Sequence, residues 1–321
     1  MTEDLRAAAT RHTAGLQAPE GLLLAEAGGI GFACARAPTP YVHALYRPLL
    51  CLVLQGAKDV TSGMQTWSFK AGETLIVGTD LAVSGRVRQA SPTAPYLAVA
   101  LDIDLQLLRE LMSEIAARSP PQPVARVAVA ETQVAVQDCV ARLVRLVDTP
   151  DALAVLRPSI LRELHYWLLR GPHGPMLRQL SLPDSHAARI SRAVALLRAD
   201  YARPLPVGRL AEAAGMSVSS FHAHFKAVTS LSPLQFQKRL RLVEARRRLH
   251  GERVAISEAA FDVGYESVSH FTRDYARLFG APPRRDLEAL SLSDGPPPRG
   301  SRRPPPGSRR TLDPPHARTG P

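Results

Sequence analysis

Two short segments in the last third of the chain carry side chains that can donate hydrogen bonds, spaced as on one face of a helix. Arg273 is the best candidate for reading a base, because a guanidinium can donate to O6 and N7 of guanine together. His222 and Thr272 could donate to bases or phosphates, whereas Lys226 and Arg277 fit phosphates, which position a protein without specifying sequence. The predicted contact residues are Ser219, Ser220, His222, Ala223 and Lys226 in the first segment, and Ser269, His270, Thr272, Arg273 and Arg277 in the second. Each residue taken singly could also be an ordinary solvated one, so the prediction depends on the elements that present them.

Both segments lie in a unit that occurs twice, at residues 207–233 and 256–283. Each copy begins with a short amphipathic helix rich in alanine, which lets a second helix approach closely. A glycine, Gly215 or Gly264, then suits the left-handed backbone that ends a helix sharply, and serines offer N-caps for the next helix. That helix buries aromatic residues and leaves a polar face free. These features predict a helix-turn-helix in each copy, the alternative being a helical repeat with no nucleic-acid role.

A long basic helix is predicted between the two copies. Ser232 and Pro233 suit its N-cap and first helical position, and the pattern runs to residue 251. The arginines that make it basic are Arg239, Arg241 and Arg246–Arg248. Such a helix would act as a rigid spacer, since two recognition helices that enter successive major grooves on one face of DNA must lie about 34 Å apart.

The net charge of +11 is confined to the C-terminal part of the chain. Residues 1–185 contain 17 Lys and Arg against 17 Asp and Glu, residues 186–290 contain 17 against 10, and residues 291–321 contain 6 against 2. A basic region beside a neutral one indicates that the basic region meets a polyanion. Basic charge alone would also suit a membrane surface, but the two helix-turn-helix copies favour double-stranded DNA.

The neutral region changes character near residue 105. Before that point, short apolar runs are separated by glycines, which predicts a small barrel or sandwich. After it, the segments Leu105–Ala117, Thr132–Val147 and Ala152–Arg170 have apolar residues at helical spacing. The last two helices could cover the β-structure or pair with a second subunit. We predict a homodimer formed through Ala152–Arg170, whose apolar face is long.

Aromatic residues in the β-rich region could line an apolar pocket for a small-molecule effector, the alternative being that they are ordinary core residues. The predicted pocket residues are His43, Tyr46, Trp67 and Tyr96. A metal site is not expected, because His12 and His43 are the only histidines of this region and do not form a closely spaced pair.

The three cysteines, Cys34, Cys51 and Cys139, are odd in number and widely spaced, which argues against a disulfide framework and a cysteine zinc site. Cys34 and Cys51 are expected to be buried and inert, the alternative being a thiol sensor of oxidants or electrophiles. An enzyme fused to a DNA-binding domain, such as an alkyl-transfer repair protein, would need a zinc–cysteine cluster and a reactive cysteine motif. The sequence has neither, so no enzyme activity, metal or cofactor is predicted.

The basic region, residues 186–288, resembles the AraC/XylS family of bacterial regulators. The residues that carry the resemblance are Gly215-Met216-Ser217, Phe225-Lys226, Ser232-Pro233, Leu242, Ala245-Arg246, Ala259-Ala260, Val263-Gly264-Tyr265, Phe271, Phe279-Gly280 and Pro283. Many family members have an aromatic residue and an arginine after that proline, where this chain has Asp286-Leu287, which we interpret as variation at the edge of the domain. The front region is similar to the AraC-type regulator N-terminal domain, a cupin-like barrel, at residues 52–57, 80–85, 90–92 and 95–97.

The resemblance implies a two-domain protein. Residues 1–185 would form an α+β domain, a cupin-like β-barrel plus helices, that senses an effector or dimerises, and residues 186–290 an all-α DNA-binding domain with two helix-turn-helix units joined by a long helix. The composition of residues 291–321 predicts a disordered, basic, proline-rich tail. The expected function is sequence-specific regulation of transcription in response to a small molecule. The alternative is a ligand-independent regulator whose front domain only dimerises or contacts RNA polymerase.

A cytoplasmic location without membrane contact is expected from the apolar pattern. No stretch approaches the ~18 uninterrupted apolar residues of a membrane helix, and the first residues lack the apolar core of a signal peptide.

Overall fold

The computed structural model describes residues 2–16, 21–115, 125–182, 185–252 and 254–293. The first half of the chain is a β-sandwich covered by helices on one side, and the second half is helical. The predicted basic tail, residues 291–321, lies outside the described residues from position 294 onwards.

The strands of the described residues are β1 (Leu23–Ala27), β2 (Ile30–Ala35), β3 (Val42–Tyr46), β4 (Leu49–Gln55), β5 (Ala57–Ser62), β6 (Gln65–Lys70), β7 (Glu73–Val77), β8 (Leu81–Gln89), β9 (Tyr96–Asp102) and β10 (Val127–Glu131). They form two antiparallel sheets. The six-stranded sheet has the order β1-β2-β9-β4-β7-β10, and the four-stranded sheet has the order β3-β8-β5-β6. The two sheets face each other across a shared apolar core that includes Val53, Leu75, Val83 and Tyr96.

No hydrogen-bonded ladder joins the two sheets within the described residues, so the β-structure is an open sandwich. A closed barrel requires a ladder between the edge strands, and β6 only approaches β7 and β10 across the gap. The predicted cupin-like barrel is therefore not found. The coarser prediction, a β-rich domain followed by a helical one, is confirmed.

Helices of the first half cover the outer face of the six-stranded sheet. They are α1 (Thr2–Thr13), α2 (Leu105–Glu114), α3 (Val134–Leu146), α4 (Pro150–Arg170) and α5 (Gly174–Leu180). Side chains alternate along a strand, so Leu50 and Leu52 of β4 pack against the helices while Cys51 and Val53 face the other sheet. The six-stranded sheet is thus covered on both faces.

The apolar face of α4 is largely covered within the protomer. Leu153, Ile160 and Leu164 are buried, because α4 packs against α2, α3 and α5. Leu156, predicted to share this face, is 47% exposed, and Val155 is 74% exposed. The face predicted to join two subunits therefore packs mainly against neighbouring helices of the same protomer.

The second half is built from the helices α6 (His186–Ala199), α7 (Val207–Ala213), α8 (Val218–Thr229), α9 (Pro233–Gly251), α10 (Ile256–Asp262), α11 (Val268–Phe279) and α12 (Pro283–Ser293). Short turns join α7 to α8 and α10 to α11, and α9 connects the two pairs. A capping box starts α9: the Ser232 hydroxyl accepts from the amide of Gln235, whose side chain accepts from the amide of Ser232.

Two histidines are buried in the first half of the chain, which we call the β-domain. His165 is 1% exposed, and its Nε2 accepts a hydrogen bond from the amide of Asp104 while its Nδ1 lies 2.6 Å from the carbonyl oxygen of Leu161. The ring is therefore neutral, with its proton on Nδ1. Burial lowers the pKa of His165 and lowers that of His173 to about 4.

We expect the free energy of unfolding of this domain to fall as the pH drops below the ordinary histidine value of 6.5. A histidine whose pKa is lowered by folding binds more protons when unfolded, so its stabilising effect is complete above that value and decreases below it. For His173 alone the loss approaches about 3 kcal/mol near pH 4. Urea unfolding across this pH range will measure it. His173→Leu removes a ring whose nitrogens have no hydrogen-bond partner among the residues that the structure describes, so the variant should show a flatter profile. An unchanged slope would contradict the assignment.

Candidate nucleic-acid interface

The first candidate reading helix, α8, is oriented by its aromatic residues. Ser217 caps it by accepting a hydrogen bond from the amide of Ser220. Phe221 and Phe225 are fully buried, and Phe225 packs edge to face on Phe236 of α9. These rings fix which face of the helix is buried. Of the predicted contact residues, Ser220 is partly buried and the exposed ones are Ser219, His222, Ala223 and Lys226.

The second candidate reading helix, α11, repeats this arrangement. Ser267 caps it by accepting from the amide of His270, and Phe271 and Tyr275 are fully buried. Of the predicted contact residues, Thr272 is partly buried and the exposed ones are Ser269, His270, Arg273 and Arg277. The predicted residues of each helix thus share the side that faces away from the domain core.

The positive charge of the domain is distributed unevenly between paired and unpaired groups. Within the part of the chain that the structure describes, Lys226, Arg273 and Arg277 have no acidic partner. Arg247 of α9 instead bonds to Glu244 and Glu252. Arg248 and Arg246 of the same helix also pair with carboxylates. The sequence predicted a strongly basic helix at α9, but carboxylates of the same domain neutralise much of the positive charge of its arginines.

Arg241 of α9 has a structural role. Its guanidinium donates to three backbone carbonyl oxygens, those of Tyr201, Ala202 and Gly264, at 2.8–3.1 Å. Two of these follow α6, and the third lies in the turn between α10 and α11. Arg241 therefore ties the second helix-turn-helix unit to the connection that precedes the first.

The glycines of the two turns have different surroundings although they align in sequence. Gly215 has a φ of +61°, and a Cβ added there would meet only flexible guanidinium groups, that of Arg189 at 3.4 Å and that of Arg192 at 3.9 Å. Gly264 has a φ of +88°, and an added Cβ would overlap the backbone carbonyl of Ala202. Both turns favour glycine for its backbone conformation, but the second also needs the absence of a side chain.

A buried carboxylate holds α12 against the rest of the domain. Asp286 is 7% exposed and accepts hydrogen bonds from Arg246 at 3.0 and 3.1 Å and from Tyr275 at 2.6 Å, while His250 Nε2 lies 3.0 Å away. Burial by itself would raise the pKa of Asp286, but the hydrogen bonds from His250, Tyr275 and Arg246 lower it to about 2. We interpreted Asp286 from the sequence as variation at the edge of the domain. In the structure it is the centre of a polar network that joins α9, α11 and α12.

The β-domain contacts the first helix-turn-helix unit directly. Arg126, just before β10, donates to the carbonyl oxygen of Ala227 at 2.6 Å and to Oγ of Ser230 at 3.1 Å, at the C-terminal end of α8. A cation at this end of a helix also interacts favourably with the helix dipole. Asp80 forms an ion pair with Arg198 of α6 at 2.7 Å. The helix α8 is therefore held from the β-domain as well as from its own core.

The four predicted pocket residues do not lie together. Tyr46, Trp67 and Tyr96 face the sandwich core, whereas Nδ1 of His43 lies 2.7 Å from Oγ of Ser84 on the outer face of the four-stranded sheet. His43 therefore does not face the sandwich core with the other three, and a pocket role for any of the four stays a prediction. His43 and Tyr46 are three positions apart on one strand, and residues an odd number apart point to opposite faces.

The sequence did not correctly predict the burial of two polar residues that face the sandwich core, Cys51 and Lys58. Cys51, predicted to be buried, is partly exposed, while Cys34 is buried as expected. Lys58 was not singled out from the sequence, yet it is 7% exposed and faces the core from β5. Its position two residues from the core residue Val60 was the available signal, because alternation places both on one face.

Within the described ranges, no group of three or more His, Cys, Asp or Glu residues is placed to hold a metal ion. None of the helices described combines the length and apolar character needed to cross a bilayer.

Comparisons with known proteins account for both halves of the chain. A family model described as AraC-type transcriptional regulator N-terminus matches residues 27–176, and a helix-turn-helix domain model matches residues 210–289. The HTH-type transcriptional regulator ExsA of Pseudomonas aeruginosa is 27% identical over 245 residues, which cover 74% of this chain and 84% of ExsA. The HTH-type transcriptional activator RhaS of Escherichia fergusonii is 31% identical over 106 residues, 33% of this chain and 38% of RhaS.

Solved structures show the same fold over most of the chain. ToxT from Vibrio cholerae has a TM-score of 0.53 at 10% identity, covering 82% of this chain and 98% of that one. A structure of ToxT with a bound unsaturated fatty acid has a TM-score of 0.54 at 8% identity, covering 82% and 95%. The two domain models match successive parts of the chain, and the similarity to ExsA extends over most of it. The chain therefore belongs to the AraC/XylS family and is a DNA-binding regulator of transcription.

Proposed function

We propose that α8 and α11 are the helices through which this regulator reads its DNA site, with Arg273 contacting a base. The observation that carries the proposal is the contrast in pairing: Lys226, Arg273 and Arg277 are without acidic partners in the described residues, whereas arginines of α9 bond to carboxylates or carbonyls within the domain. An unpaired guanidinium is free to donate two hydrogen bonds to one guanine.

The remaining exposed residues complete the proposed interface. His222 and Thr272 are placed to donate to bases or phosphates, and Lys226 and Arg277, one turn further along, to contact phosphates and set the register. His270 shares the face of α11, and the small residues of the two faces, which would admit close approach of the groove, are Ser219, Ser220, Ala223 and Ser269.

Arg273→Ala in the full chain is expected to weaken binding to the preferred site by about 1–3 kcal/mol and to relax the choice of base at one position. Binding to a set of duplexes that vary one position at a time will measure both effects. Arg284→Ala is a matched control, because this arginine is 84% exposed, lies outside α8 and α11 on α12, and pairs with Glu288. If Arg273→Ala weakens every duplex equally, Arg273 contacts a phosphate and the base-reading role is rejected.

The β-domain is proposed to sense a small-molecule effector and to act on the first reading helix. Support comes from the contacts of Arg126 with the end of α8 and of Asp80 with Arg198, and from the ligand-bound state of the ToxT structure of similar fold. The alternative is a ligand-independent regulator whose β-domain only dimerises or contacts RNA polymerase. An effector that binds the folded state raises the melting temperature, and a ligand-independent protein shows no such response to any small molecule.

A homodimer remains part of this proposal. The described surface of α4 leaves Val155 and Leu156 exposed side by side, which is a much smaller apolar face than the sequence suggested. Contact with RNA polymerase stays a prediction from the family resemblance.

A further inference from the structure

A groove lies in the layer of helices that covers the six-stranded sheet, between α2 and α4. Its volume is about 690 Å³, which is within the usual range for sites that bind small molecules. Three leucines form part of its apolar lining: Leu107, Leu153 and Leu161. No residue of the facing sheets' shared core or of α6–α12 lines it, so the groove is separate from the sandwich core and from the DNA-binding helices.

An arginine of α4 lines this groove without a partner. Arg157 is partly buried, and its Nε is inaccessible to solvent yet has no hydrogen-bond partner among the described residues. A Cβ added to Gly29, in the turn between β1 and β2, would lie 2.6 Å from Nη2 of Arg157. The absence of a side chain in this turn therefore makes room for the guanidinium. A buried donor without an acceptor is unfavourable, and a bound group that accepts hydrogen bonds would relieve it.

A carboxylate of α2 lines the same groove. Glu110 is exposed, and within the described residues its side chain accepts a hydrogen bond only from the neutral amide of Gln106, at 3.3 Å. Asp104 also lines the groove, but its carboxylate caps α2 by accepting from the amides of Gln106 and Leu107. No ion pair within 4.0 Å joins Glu110 to Arg157. The groove thus holds a cation and an anion that do not neutralise each other directly.

We propose that this groove binds a small zwitterion with an apolar side chain, either a free amino acid or a short peptide. The carboxylate of the ligand accepts hydrogen bonds from the guanidinium of Arg157, which can offer two parallel N–H donors. The ammonium of the ligand donates to the carboxylate of Glu110. The leucines of the groove contact the apolar side chain. This site goes beyond the function proposed above, because it does not depend on what the sandwich core binds.

The charges of the groove favour a zwitterion over a ligand with a single charge. Arg157 supplies one positive charge, whereas Asp104 and Glu110 supply two negative ones. An apolar carboxylate would therefore add a negative charge to a groove that already has an excess of them. An apolar amine would leave the guanidinium of Arg157 without an acceptor. A zwitterion matches both charges and leaves the net charge of the groove unchanged.

The test is calorimetric titration of the full chain with L-leucine and with the dipeptide leucyl-leucine. Two analogues of leucine carry one charge each: 4-methylpentanoate lacks the ammonium, and 3-methylbutylamine lacks the carboxylate. We expect the better zwitterion to bind about tenfold or more tightly than either analogue, because each analogue lacks one charge-assisted hydrogen bond. Tighter binding of leucine would identify a free amino acid as the ligand class, and tighter binding of the dipeptide a peptide.

Two variants assign the charges separately. Arg157→Met keeps a long side chain without the guanidinium, so it should bind leucine about tenfold more weakly and 3-methylbutylamine with unchanged affinity. Glu110→Gln should bind leucine more weakly and 4-methylpentanoate at least as well as the natural protein does. Arg170→Met is the matched control, because Arg170 is an exposed arginine at the end of α4 that does not line the groove. This variant should bind leucine as the natural protein does.

Several results would overturn the proposal. One is that neither zwitterion binds at about 10 mM, a concentration that detects even millimolar affinity. Another is that all four compounds bind equally, since the groove would then select only for apolar surface. Without ligand, Arg157→Met should melt at the same temperature as the natural protein or higher, because a buried unpaired donor has been removed. A lower melting temperature together with weaker binding of all four compounds would show that Arg157 is structural. DNA takes no part in these measurements, so their failure would leave the proposed roles of α8 and α11 intact.

Discussion

Replacing Gly264 by alanine is expected to lower the free energy of unfolding by about 3–5 kcal/mol and to remove the contribution of α11 to DNA binding. The positive φ of +88° is unfavourable for any residue with a Cβ, and here the Cβ would also overlap the backbone carbonyl of Ala202. A backbone group cannot swing away as a side chain can. The turn would have to shift, and with it the carbonyl oxygens that Arg241 binds.

Two other glycines provide matched controls for this substitution. Gly280 ends α11 with a φ of +81°, but a Cβ added there has no atom within 4 Å. Gly215 has a φ of +61°, and a Cβ added there would meet only the movable side chains of Arg189 and Arg192. Alanine at either position should cost only the backbone strain, about 1–2 kcal/mol. Urea unfolding of the three variants will rank them, and equal losses for Gly264→Ala and Gly280→Ala would mean that the contact with Ala202 relaxes freely.

Asp286→Asn is expected to lower the free energy of unfolding by about 3–5 kcal/mol, because it removes the carboxylate that accepts two hydrogen bonds from the buried guanidinium of Arg246. Arg246 is only 13% exposed at its side chain, so water cannot replace the lost carboxylate. The hydroxyl of Tyr275, now 2.6 Å from the carboxylate, would also lose a charged acceptor. With α12 released, the packing that fixes α11 weakens and DNA affinity should fall with stability.

The same residue predicts a second acid-sensitive step. Because folding lowers the pKa of Asp286 from 3.8 to about 2, its contribution is complete above the higher value and is lost as the pH falls through the lower one. This pH-dependent part amounts to about 2.5 kcal/mol. Glu288→Gln is the matched control, since Glu288 pairs with Arg284 in solvent and should change stability by less than about 1 kcal/mol. A variant Asp286→Asn that unfolds like this control at neutral pH would show that the network does not hold α12.

The exposed faces of α8 and α11 could be predicted from sequence because they depend on local periodicity. Phe221 and Phe225, and likewise Phe271 and Tyr275, lie one helical turn apart and are buried together. Once one face of a helix is buried, the opposite face is determined by geometry. The alternation along a strand is equally local, so the placement of His43 opposite to Tyr46 was also available from the sequence.

Closure of the β-structure could not be predicted in this way. Each strand is recognisable from its own residues, but a barrel differs from a sandwich only by ladders between strands distant in sequence. The covering role of α4 depends in the same way on its packing against other helices, which its own apolar pattern does not specify.

By itself, the sequence determined the two helix-turn-helix copies, the neutral and basic halves and the faces of the reading helices, because these follow from neighbours within one or two turns. Only the tertiary structure decided which charges are free and which are internal. It joins Asp286 to Arg246, forty positions away, and gives Lys58 no carboxylate partner among the described residues. It also distinguishes Gly264 from Gly215, which the repeat makes equivalent, because the backbone of Ala202 lies against only one of them. Ion pairs and close backbone contacts depend on which distant segments of the chain meet in space. Composition and residue spacing do not specify those contacts.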